Sequence, residues 1–196
     1  MYKNFFKPLI DFCGALLMLP FVLLVIIIFA PIIYFTDRGP VFYNAERMGK
    51  DGRIFKMFKL RSMYMNAPDI RNADGSTFNA DKDPRVTPIG HFIRKTSLDE
   101  FPQFLNVLIG DMSFVGPRPS LTTTPYSEYN EIRRKRVSVK PGVTGYAQAY
   151  FRNSISQDEK FHWDAYYADH ISFWLDAKII LQTIFSVIIK KNINTY

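Results

Sequence analysis

Two adjacent carboxylates, Asp99 and Glu100, are the residues of this sequence whose type and spacing best suit covalent or metal-assisted chemistry. A carboxylate can attack an electrophilic centre, and a pair of carboxylates can hold a divalent cation. The same run also has a purely structural interpretation, because Ser97 and Glu100 have the spacing of a capping box and acids stabilise the first turn of a helix. Pro102 lacks a backbone N–H and leaves the helix start at either Ser97 or Asp99, so the pair alone does not decide between the interpretations.

Three arginines, Arg61, Arg94 and Arg118, lie in segments with few acids to neutralise them. A guanidinium binds phosphate oxygens through two parallel hydrogen bonds, so these side chains are predicted to bind phosphate. A carboxylate pair next to a bound phosphate needs a bridging cation, and Mg²⁺ is the usual one. We therefore expect Asp99 and Glu100 to hold Mg²⁺. The three histidines have no spacing typical of metal ligands.

The chain has 196 residues, a formal net charge of +7 and one cysteine. This length predicts one domain, and a single cysteine excludes an internal disulfide and a zinc–thiolate cluster. The positive charge indicates an anionic partner: nucleic acid, an anionic membrane surface or a phosphorylated substrate. The basic run at 133–136 is a nucleic-acid signal, but beside a membrane segment a lipid headgroup contact or a solvated surface is favoured. We expect no nucleic-acid partner.

Between Asp11 and Asp37 the sequence has 25 uncharged residues, 12–36, dominated by Leu, Ile, Val and Phe. A straight helix of that length reaches ~37 Å, and the hydrocarbon core of a bilayer is ~30 Å thick. The run is longer than the apolar part of a cleavable signal, and no small-x-small site follows it. It therefore predicts a retained membrane segment rather than a buried core helix.

Positive charge flanks this segment on both sides, with two lysines before it and a denser cluster of Lys and Arg after it. Because positive residues mark the cytoplasmic side, both ends favour that side. Pro20 and Pro31 interrupt helical hydrogen bonding, as a broken, re-entrant helix would require. Charge and prolines alone leave re-entrant and spanning helices equally open. The predicted division is a membrane-inserted segment at 1–38 and a cytoplasm-facing domain at 39–196.

The pattern from residue 39 onward predicts a small α+β domain. The expected elements are strands at 41–43 and 54–58, a turn at 50–52, a long loop at 66–88 and helices at 90–95, 98–108, 127–136 and 161–169. The last apolar stretch, 171–189, contains Asp176 and Lys178, which argue against a second membrane span. It predicts either an amphipathic helix in the membrane interface or a helix packed in the core.

Four longer segments carry a resemblance to a known family. They are KMFKLRSM at 56–63, RKTSLDEFPQ at 94–103, LNVLIGDMSFVGPRP at 105–119 and PGVTGYAQ at 141–148. In this order they closely resemble the bacterial sugar transferases, the monotopic phosphoglycosyl transferases that begin glycan assembly on a polyprenol phosphate. The resemblance extends from about residue 7 to residue 191.

The resemblance implies a reaction and a role for each site residue. Asp99 looks like the nucleophile that attacks the sugar-bearing phosphorus of a UDP-sugar, which releases UMP and leaves a phosphosugar on the carboxylate. The polyprenol phosphate then attacks this intermediate, a ping-pong sequence. Glu100 resembles the partner that binds Mg²⁺ together with Asp99. The residues that resemble substrate-contacting positions are Lys59, Arg61, Arg94, Arg118, Asp164 and Tyr167.

The resemblance also implies partners and a location. The expected partners are a UDP-sugar donor, an undecaprenyl-type polyprenol phosphate acceptor and membrane lipid, and a homodimer is one expected assembly. The expected location is the cytoplasmic face of the bacterial inner membrane. Family members use a re-entrant helix broken near a proline, which favours re-entry here. The chain resembles the minimal form of the family, without the extra amino-terminal membrane domain of larger relatives.

Two alternatives from other functional classes stay open. One is a membrane-anchored nucleotide-sugar hydrolase, in which water accepts the group. The other is a non-enzymatic scaffold for glycan-assembly enzymes. Tyr146 and the pair Tyr150-Phe151 depart from the family pattern, since bulky aromatics stand where Trp and small or polar residues are usual. If they line the sugar pocket, they change the sugar that is accepted.

Overall fold

A computed structural model of the chain describes residues 1–70, 78, 83–152 and 154–188. The chain begins with a π-helical turn, Tyr2–Phe6, that leads into the long helix α1, Lys7–Asp37. Among the described residues, Tyr2–Asp37 is the one helix that is long and apolar enough to cross a membrane. The predicted apolar segment is therefore confirmed as one long helix.

Helix α1 is continuous through Pro20 and Pro31. Neither proline ends the helix, so the broken helix that the sequence predicted is not seen. A proline removes one N–H donor, so a helix can bend there and keep its remaining bonds. The helix ends at Arg38, whose backbone is left-handed with φ of 55°.

Both halves of α1 pack against the rest of the chain. The first half places Ala15 in a buried cluster with Phe55 and Met112, and the second half places Ile33 in a cluster with Leu60 and Ile93. Most of its other apolar side chains are exposed, Leu17 and Ile27 among them. One face of α1 therefore belongs to the protein core, and the remaining surface is free for lipid.

Two short sheets form the β component. Strands β1, Ala45–Met48, and β2, Ile54–Met57, pair antiparallel around a turn at Lys50–Gly52. Strands β3, Ser113–Val115, and β4, Gly142–Thr144, pair parallel.

The prediction of β2 is confirmed, but the strand expected at 41–43 was placed too early. Phe42 makes only an isolated bridge with Leu60, and β1 begins at Ala45. The turn sets the register, because Asp51 and Gly52 both have positive φ and fix where the strands meet.

The segment around the carboxylate pair differs from its prediction as one helix over 98–108. Helix α2, Pro88–Lys95, is followed by a 3₁₀ turn at Leu98–Glu100 and then by helix α3, Gln103–Leu108. Ser97 lies in the left-handed region with φ of 57°, and its side chain makes no cap hydrogen bond. The capping-box interpretation is therefore wrong, since Pro102 begins a new helix and the carboxylates lie on a tight turn before it.

The remaining helices lie in the C-terminal half. They are α4, Glu131–Arg136, α5, Tyr146–Tyr150, α6, Gln157–Asp169, and α7, Phe173–Ile188. The helix expected at 127–136 starts later, because Asn130 caps α4 by accepting a hydrogen bond from the backbone of Arg133. Helix α6 starts earlier than expected, because Ser156 and Glu159 form a capping box. Much of the predicted loop at 66–88, namely 71–77 and 79–82, lies outside the described residues.

Helix α7 has two different faces. Asp176, Ile179 and Ser186 are buried against the domain, whereas Trp174 and Leu181 are 73% and 67% exposed. The interfacial helix and the core-packed helix that the sequence left open for 171–189 thus correspond to opposite faces of one amphipathic helix. The mixed helix-and-sheet class predicted for the chain is confirmed.

Candidate active site

The two carboxylates meet a lysine at the turn between α2 and α3. Lys59 Nζ lies 2.8 Å from Asp99 Oδ2 and 3.3 Å from Glu100 Oε1. The backbone N–H of Leu60 donates to the carbonyl of Asp99 at 2.9 Å, which fixes the turn against the segment after β2. Asp99 is 2% exposed, so its charge is held in a poorly solvated place and depends on Lys59 for compensation.

Arg118 completes this cluster from the irregular segment after β3. Its Nη2 lies 3.4 Å from Glu100 Oε1, and its side chain is 58% exposed. The guanidinium is therefore near the carboxylates but keeps donors that face solvent. A side chain in this position can bind a phosphate group that enters from solvent.

Arg118 is positioned by a buried arginine, Arg136, whose three guanidinium nitrogens each donate a hydrogen bond. Arg136 Nε donates to Asp164 Oδ2 at 2.8 Å, Nη2 donates to the backbone carbonyl of Arg118, and Nη1 donates to the hydroxyl of Ser120. Arg136 and Asp164 are 4% and 3% exposed. This buried pair clamps the backbone that carries Arg118.

Arg94 approaches the cluster from α2. Its Nε donates to Ser62 Oγ at 2.9 Å. At Gly90, helix α2 lies very close to the segment that follows β2, since an added Cβ would lie 1.9 Å from the carbonyl oxygen of Ser62. Only glycine permits that approach. Burial lowers the pKa of Arg94 below its ordinary value.

Two residues of the predicted substrate-binding set lie in other contacts. Arg61 donates to both carboxylate oxygens of Asp37 at the end of α1, with Nη1 3.0 Å from Oδ2. Tyr167 is 1% exposed, and its hydroxyl lies 2.7 Å from Asp176 Oδ1, to which it donates, and 3.0 Å from the carbonyl oxygen of Val115. Arg61 still lines the cavity described below, whereas Tyr167 is not among the lining residues.

The environment separates the pKa values of the two carboxylates. Burial raises the pKa of Asp99, against the effect of Lys59 and with a further contribution from Glu100. Burial acts in the same direction on Glu100, but Lys59 and Arg118 outweigh it and lower its pKa to about 2. Burial disfavours the charge of Lys59, yet Glu100 and Asp99 raise its pKa. Two acids whose environments push their pKa values apart are suited to different roles.

The donor set fits Mg²⁺ only together with a ligand. Magnesium in phosphoryl-transfer sites is bound by one or two carboxylates, with phosphate oxygens and water in the other positions. Asp99 and Glu100 supply such carboxylates. Lys59 contacts one oxygen of each carboxylate, and Arg118 contacts the same oxygen of Glu100 as Lys59 does. Among the described residues no group of three acidic, histidine or cysteine side chains could hold a metal alone. The pair therefore suits a cation that arrives with a phosphorylated substrate.

An open cavity of about 2350 Å³ brings these side chains together. Lys59, Arg61, Arg94, Asp99, Glu100 and Arg118 all line it, as does Asp164. The chemistry that such a wall supports is attack by a carboxylate on a phosphorus whose oxygens are bound by cations.

Arg136 is the residue of this site that sequence reasoning missed. It was interpreted with its neighbours as part of a basic surface run, but it is the buried member of that run. The available signal was helix periodicity: four consecutive helical residues cannot all face solvent, and Asp164 was already singled out as a distant acid.

Comparison with known proteins identifies the family to which the chain is similar. Residues 2–190 match the bacterial sugar transferase family. The chain is 44% identical over 186 residues to the galactosyl transferase CpsE of Streptococcus agalactiae serotype III (strain NEM316), which covers 91% of this chain and 41% of that protein. It is 38% identical over 187 residues to the uncharacterized sugar transferase EpsL of Bacillus subtilis (strain 168), covering 95% and 89% of the two chains.

A further relative carries a more specific name. Over 163 residues the chain is 40% identical to the UDP-glucose:undecaprenyl-phosphate glucose-1-phosphate transferase of Escherichia coli (strain K12), covering 80% of this chain and 34% of that protein. The chain spans about two fifths of the length of CpsE, with 41% of it covered.

Proposed function

This chain belongs to the bacterial sugar transferase family, and we propose that it transfers a phosphosugar from a UDP-sugar to a polyprenol phosphate and releases UMP. The observation that carries the proposal is the meeting of two carboxylates, Asp99 and Glu100, with Lys59 and Arg118 at one cavity. The name of the Escherichia coli relative supports the same class of reaction.

In the first half-reaction an oxygen of Asp99 attacks the phosphorus that carries the sugar. An O–P bond forms while the bond from that phosphorus to the oxygen of UMP breaks, and UMP leaves with the electron pair. Burial raises the pKa of Asp99, whereas Lys59 and Arg118 lower that of Glu100, and this separation suits the two acids to different roles. Arg118 and Arg94 bind the phosphate oxygens as charge develops on them.

In the second half-reaction a phosphate oxygen of the acceptor attacks the same phosphorus. The bond to Asp99 breaks, and the carboxylate is restored as polyprenol-diphosphate-sugar leaves. Lys59, 2.8 Å from Asp99, stabilises the carboxylate whenever it is free. A hydrolase would use the same intermediate with water in place of the lipid phosphate.

Glu100 and Asp99 would hold Mg²⁺ through the carboxylate oxygens that Lys59 and Arg118 do not contact. When bound, Mg²⁺ supplies Lewis-acid stabilisation of the charge on the phosphoryl oxygens. Glu100, with its pKa lowered to about 2, is ionised at all physiological pH values and suits this binding role.

The membrane arrangement proposed for α1 is re-entrant, with both ends on the cytoplasmic face of the inner membrane and the catalytic domain at 39–196. The support is that both ends of the helix bind the same domain. Near its start Lys7 Nζ lies 2.7 Å from Asp176 Oδ2, and at its end Asp37 binds Arg61. A spanning helix would separate these ends by the ~30 Å hydrocarbon core.

The reaction is tested with purified protein in detergent, Mg²⁺ and a panel of UDP-glucose, UDP-galactose and UDP-N-acetylgalactosamine. A ping-pong transferase releases about one UMP per protein without acceptor and turns over only when undecaprenyl phosphate is added. Mass spectrometry of the acceptor-free sample should map a phosphosugar to Asp99. Continuous UMP release without acceptor would identify a hydrolase, and no UMP release with any donor would support the scaffold.

The topology is tested with single cysteines in a Cys13→Ser background. Lys3→Cys lies at the start of the helix and Lys50→Cys lies in the exposed turn between β1 and β2. An impermeant thiol reagent should miss both in intact cells and label both after the cells are opened. Labelling of Lys3→Cys alone from outside would establish a spanning helix.

A further inference from the structure

The cavity extends beyond the charged cluster along a row of three phenylalanines. Phe101, Phe104 and Phe114 form this aromatic row, and all three line the cavity together with Asp99 and Glu100. Resting on the function proposed above, we propose that the aromatic row is the binding site for the first part of the lipid chain of the acceptor phosphate.

The row connects the catalytic turn to the membrane helix without a gap. Phe101 directly follows Glu100 in the chain. The ring centroids of Phe101 and Phe104 are 5.7 Å apart, and those of Phe104 and Phe114 are 5.4 Å apart. These are the ordinary distances of aromatic contact, so the rings form one continuous apolar strip.

The far end of the row is fixed to α1. The backbone N–H of Phe114 donates to the carboxylate of Asp11 at 3.0 Å. The ring of Phe114 lies against Gly14, where an added Cβ would be 2.6 Å from it. Glycine at this position therefore lets the ring lie directly on the membrane helix, so that the strip ends where lipid begins.

The two helices that have exposed apolar faces, α1 and α7, both contribute to the cavity wall. Ile10 of α1 and Ile180 and Ile184 of α7 line the same cavity, and they are 46%, 39% and 50% exposed. The three phenylalanines are themselves only half-buried. Exposed apolar side chains that lie together in this way are unfavourable in water and are stabilised when a lipid covers them.

The chemistry of the two ends identifies the occupant. One end holds the cations Lys59 and Arg118, which suit a phosphate, and the other end is apolar and continuous with the membrane helices. A UDP-sugar has no apolar group long enough to cover the strip. A phospholipid such as phosphatidylglycerol carries a phosphodiester between its two chains and its headgroup, whereas the acceptor of the proposed reaction has a terminal phosphate. The occupant with one chain and a terminal phosphate is a prenyl phosphate.

The kinetic test compares two Phe→Ala variants. Phe104→Ala shortens a side chain in the middle of the row, and Phe185→Ala removes the same ring from the exposed face of α7, where it is 55% exposed and outside the cavity. We expect Phe104→Ala to raise KM for undecaprenyl phosphate about ten-fold, which corresponds to about 1.4 kcal/mol. The acceptor-free release of UMP and KM for the UDP-sugar should stay at the native values, and Phe104→Leu should restore most of the affinity.

Phe185→Ala controls for membrane affinity in general. If it raises KM for undecaprenyl phosphate as much as Phe104→Ala does, the effect comes from the lipid surface and the proposal is overturned. Equal loss of acceptor-free UMP release and of acceptor use in Phe104→Ala would also overturn it, because the ring would then support the carboxylates rather than the lipid.

Photo-crosslinking tests binding without turnover. A farnesyl phosphate that carries a diazirine next to its first isoprene unit should label the aromatic row or α7 near Ile180, and undecaprenyl phosphate should compete. Competition by phosphatidylglycerol at the same concentration, or labels confined to the outer face of α7, would reject a prenyl phosphate site. The outcome is independent of the proposed reaction: a protein that releases no UMP but is labelled on the row refutes the transferase and keeps the lipid site.

Discussion

Two buried lysine–aspartate contacts in this molecule have nearly the same length but different surroundings. Lys59 lies 2.8 Å from Asp99 at the cavity, and Lys7 lies 2.7 Å from Asp176 behind it. Asp176 also accepts hydrogen bonds from the hydroxyls of Tyr2 and Tyr167, each at 2.7 Å. Both oxygens of that carboxylate accept hydrogen bonds from buried or half-buried side chains of the protein, which makes the Asp176 contact a sealed structural joint between α1, α6 and α7.

The contact at Asp99 is incomplete by comparison. A second carboxylate, Glu100, shares the same lysine, and the nearest arginine keeps most of its side chain in solvent. The cluster thus has acceptor oxygens and donors to spare, in a cavity where a ligand can reach them. The difference teaches that the distance of an ion pair does not reveal its role; what matters is whether the remaining hydrogen-bonding capacity is used by the protein or left for a ligand.

The largest expected effect is at the incomplete contact. Asp99→Asn keeps the shape of the side chain but cannot form the covalent intermediate, so we expect the rate to fall by about a thousand-fold or more. Lys59 retains Glu100 as a partner, so the thermal midpoint in detergent should stay within roughly 2 °C of native. UMP release and a thermal melt measure both. A variant with more than about a tenth of the native rate would show that Asp99 is not the nucleophile.

The same substitution at the sealed contact should act on stability instead. Asp176→Asn leaves the ammonium of Lys7 buried without a carboxylate, which costs about 3–5 kcal/mol of unfolding free energy. The thermal midpoint should fall by on the order of 10 °C. Below that midpoint the acceptor-free UMP burst per folded molecule should be close to native. If activity disappeared while the thermal midpoint was unchanged, Asp176 would serve the reaction rather than stability, and the contrast with Asp99 would be wrong.

The elements that the sequence predicted correctly depend on residues that lie close together in the chain. The apolar run of α1, the strand at 54–57 and the helix ending at Asp169 follow from hydrophobic pattern and capping residues nearby in the chain. The proximity of Asp99, Glu100 and Arg118 was also expected, through the resemblance of their motifs.

The parts that could not be predicted depend on distant pairings. Arg61 meets Asp37, and Lys7 meets an acid that lies 169 residues further along the chain. No local propensity encodes which buried charge faces which, because tertiary packing decides it. The left-handed backbone at Ser97 is a further case: the capping-box pattern was present, but the turn that carries the carboxylates overrode it.

The next largest effect on the rate is expected at Arg118, the exposed cation beside Asp99 and Glu100. Arg118→Lys keeps the charge but replaces a two-donor guanidinium with a strongly hydrated ammonium. Loss of a bidentate phosphate contact should lower kcat/KM for the UDP-sugar by about thirty-fold to a thousand-fold, equal to ~2–4 kcal/mol. An exposed side chain with only a structural role would cost at most ~1 kcal/mol. Initial rates of UMP release at donor concentrations below KM distinguish the two, and a near-native rate would remove Arg118 from the site.

The smallest expected effect tests whether Arg136 acts through Arg118. Arg136→Lys keeps a positive charge for Asp164 but loses the fork that binds the backbone carbonyl of Arg118 and the hydroxyl of Ser120. We expect kcat/KM to fall about ten-fold, because a loosened loop aims Arg118 less well. Arg134→Lys is the matched control, since Arg134 lies on the same helix and also donates to backbone carbonyls, those of Tyr129 and Ser127.

The double variant Arg118→Lys with Arg136→Lys separates positioning from a contact of its own. If Arg136 acts only by aiming Arg118, its change adds almost nothing once the guanidinium of Arg118 is gone, and the coupling energy equals about the whole single-variant effect of roughly 1.4 kcal/mol. Losses that multiply would mean that Arg136 or Asp164 contacts substrate independently. A loss in Arg134→Lys of the same size would assign the effect to the stability of α4 rather than to the aim of Arg118.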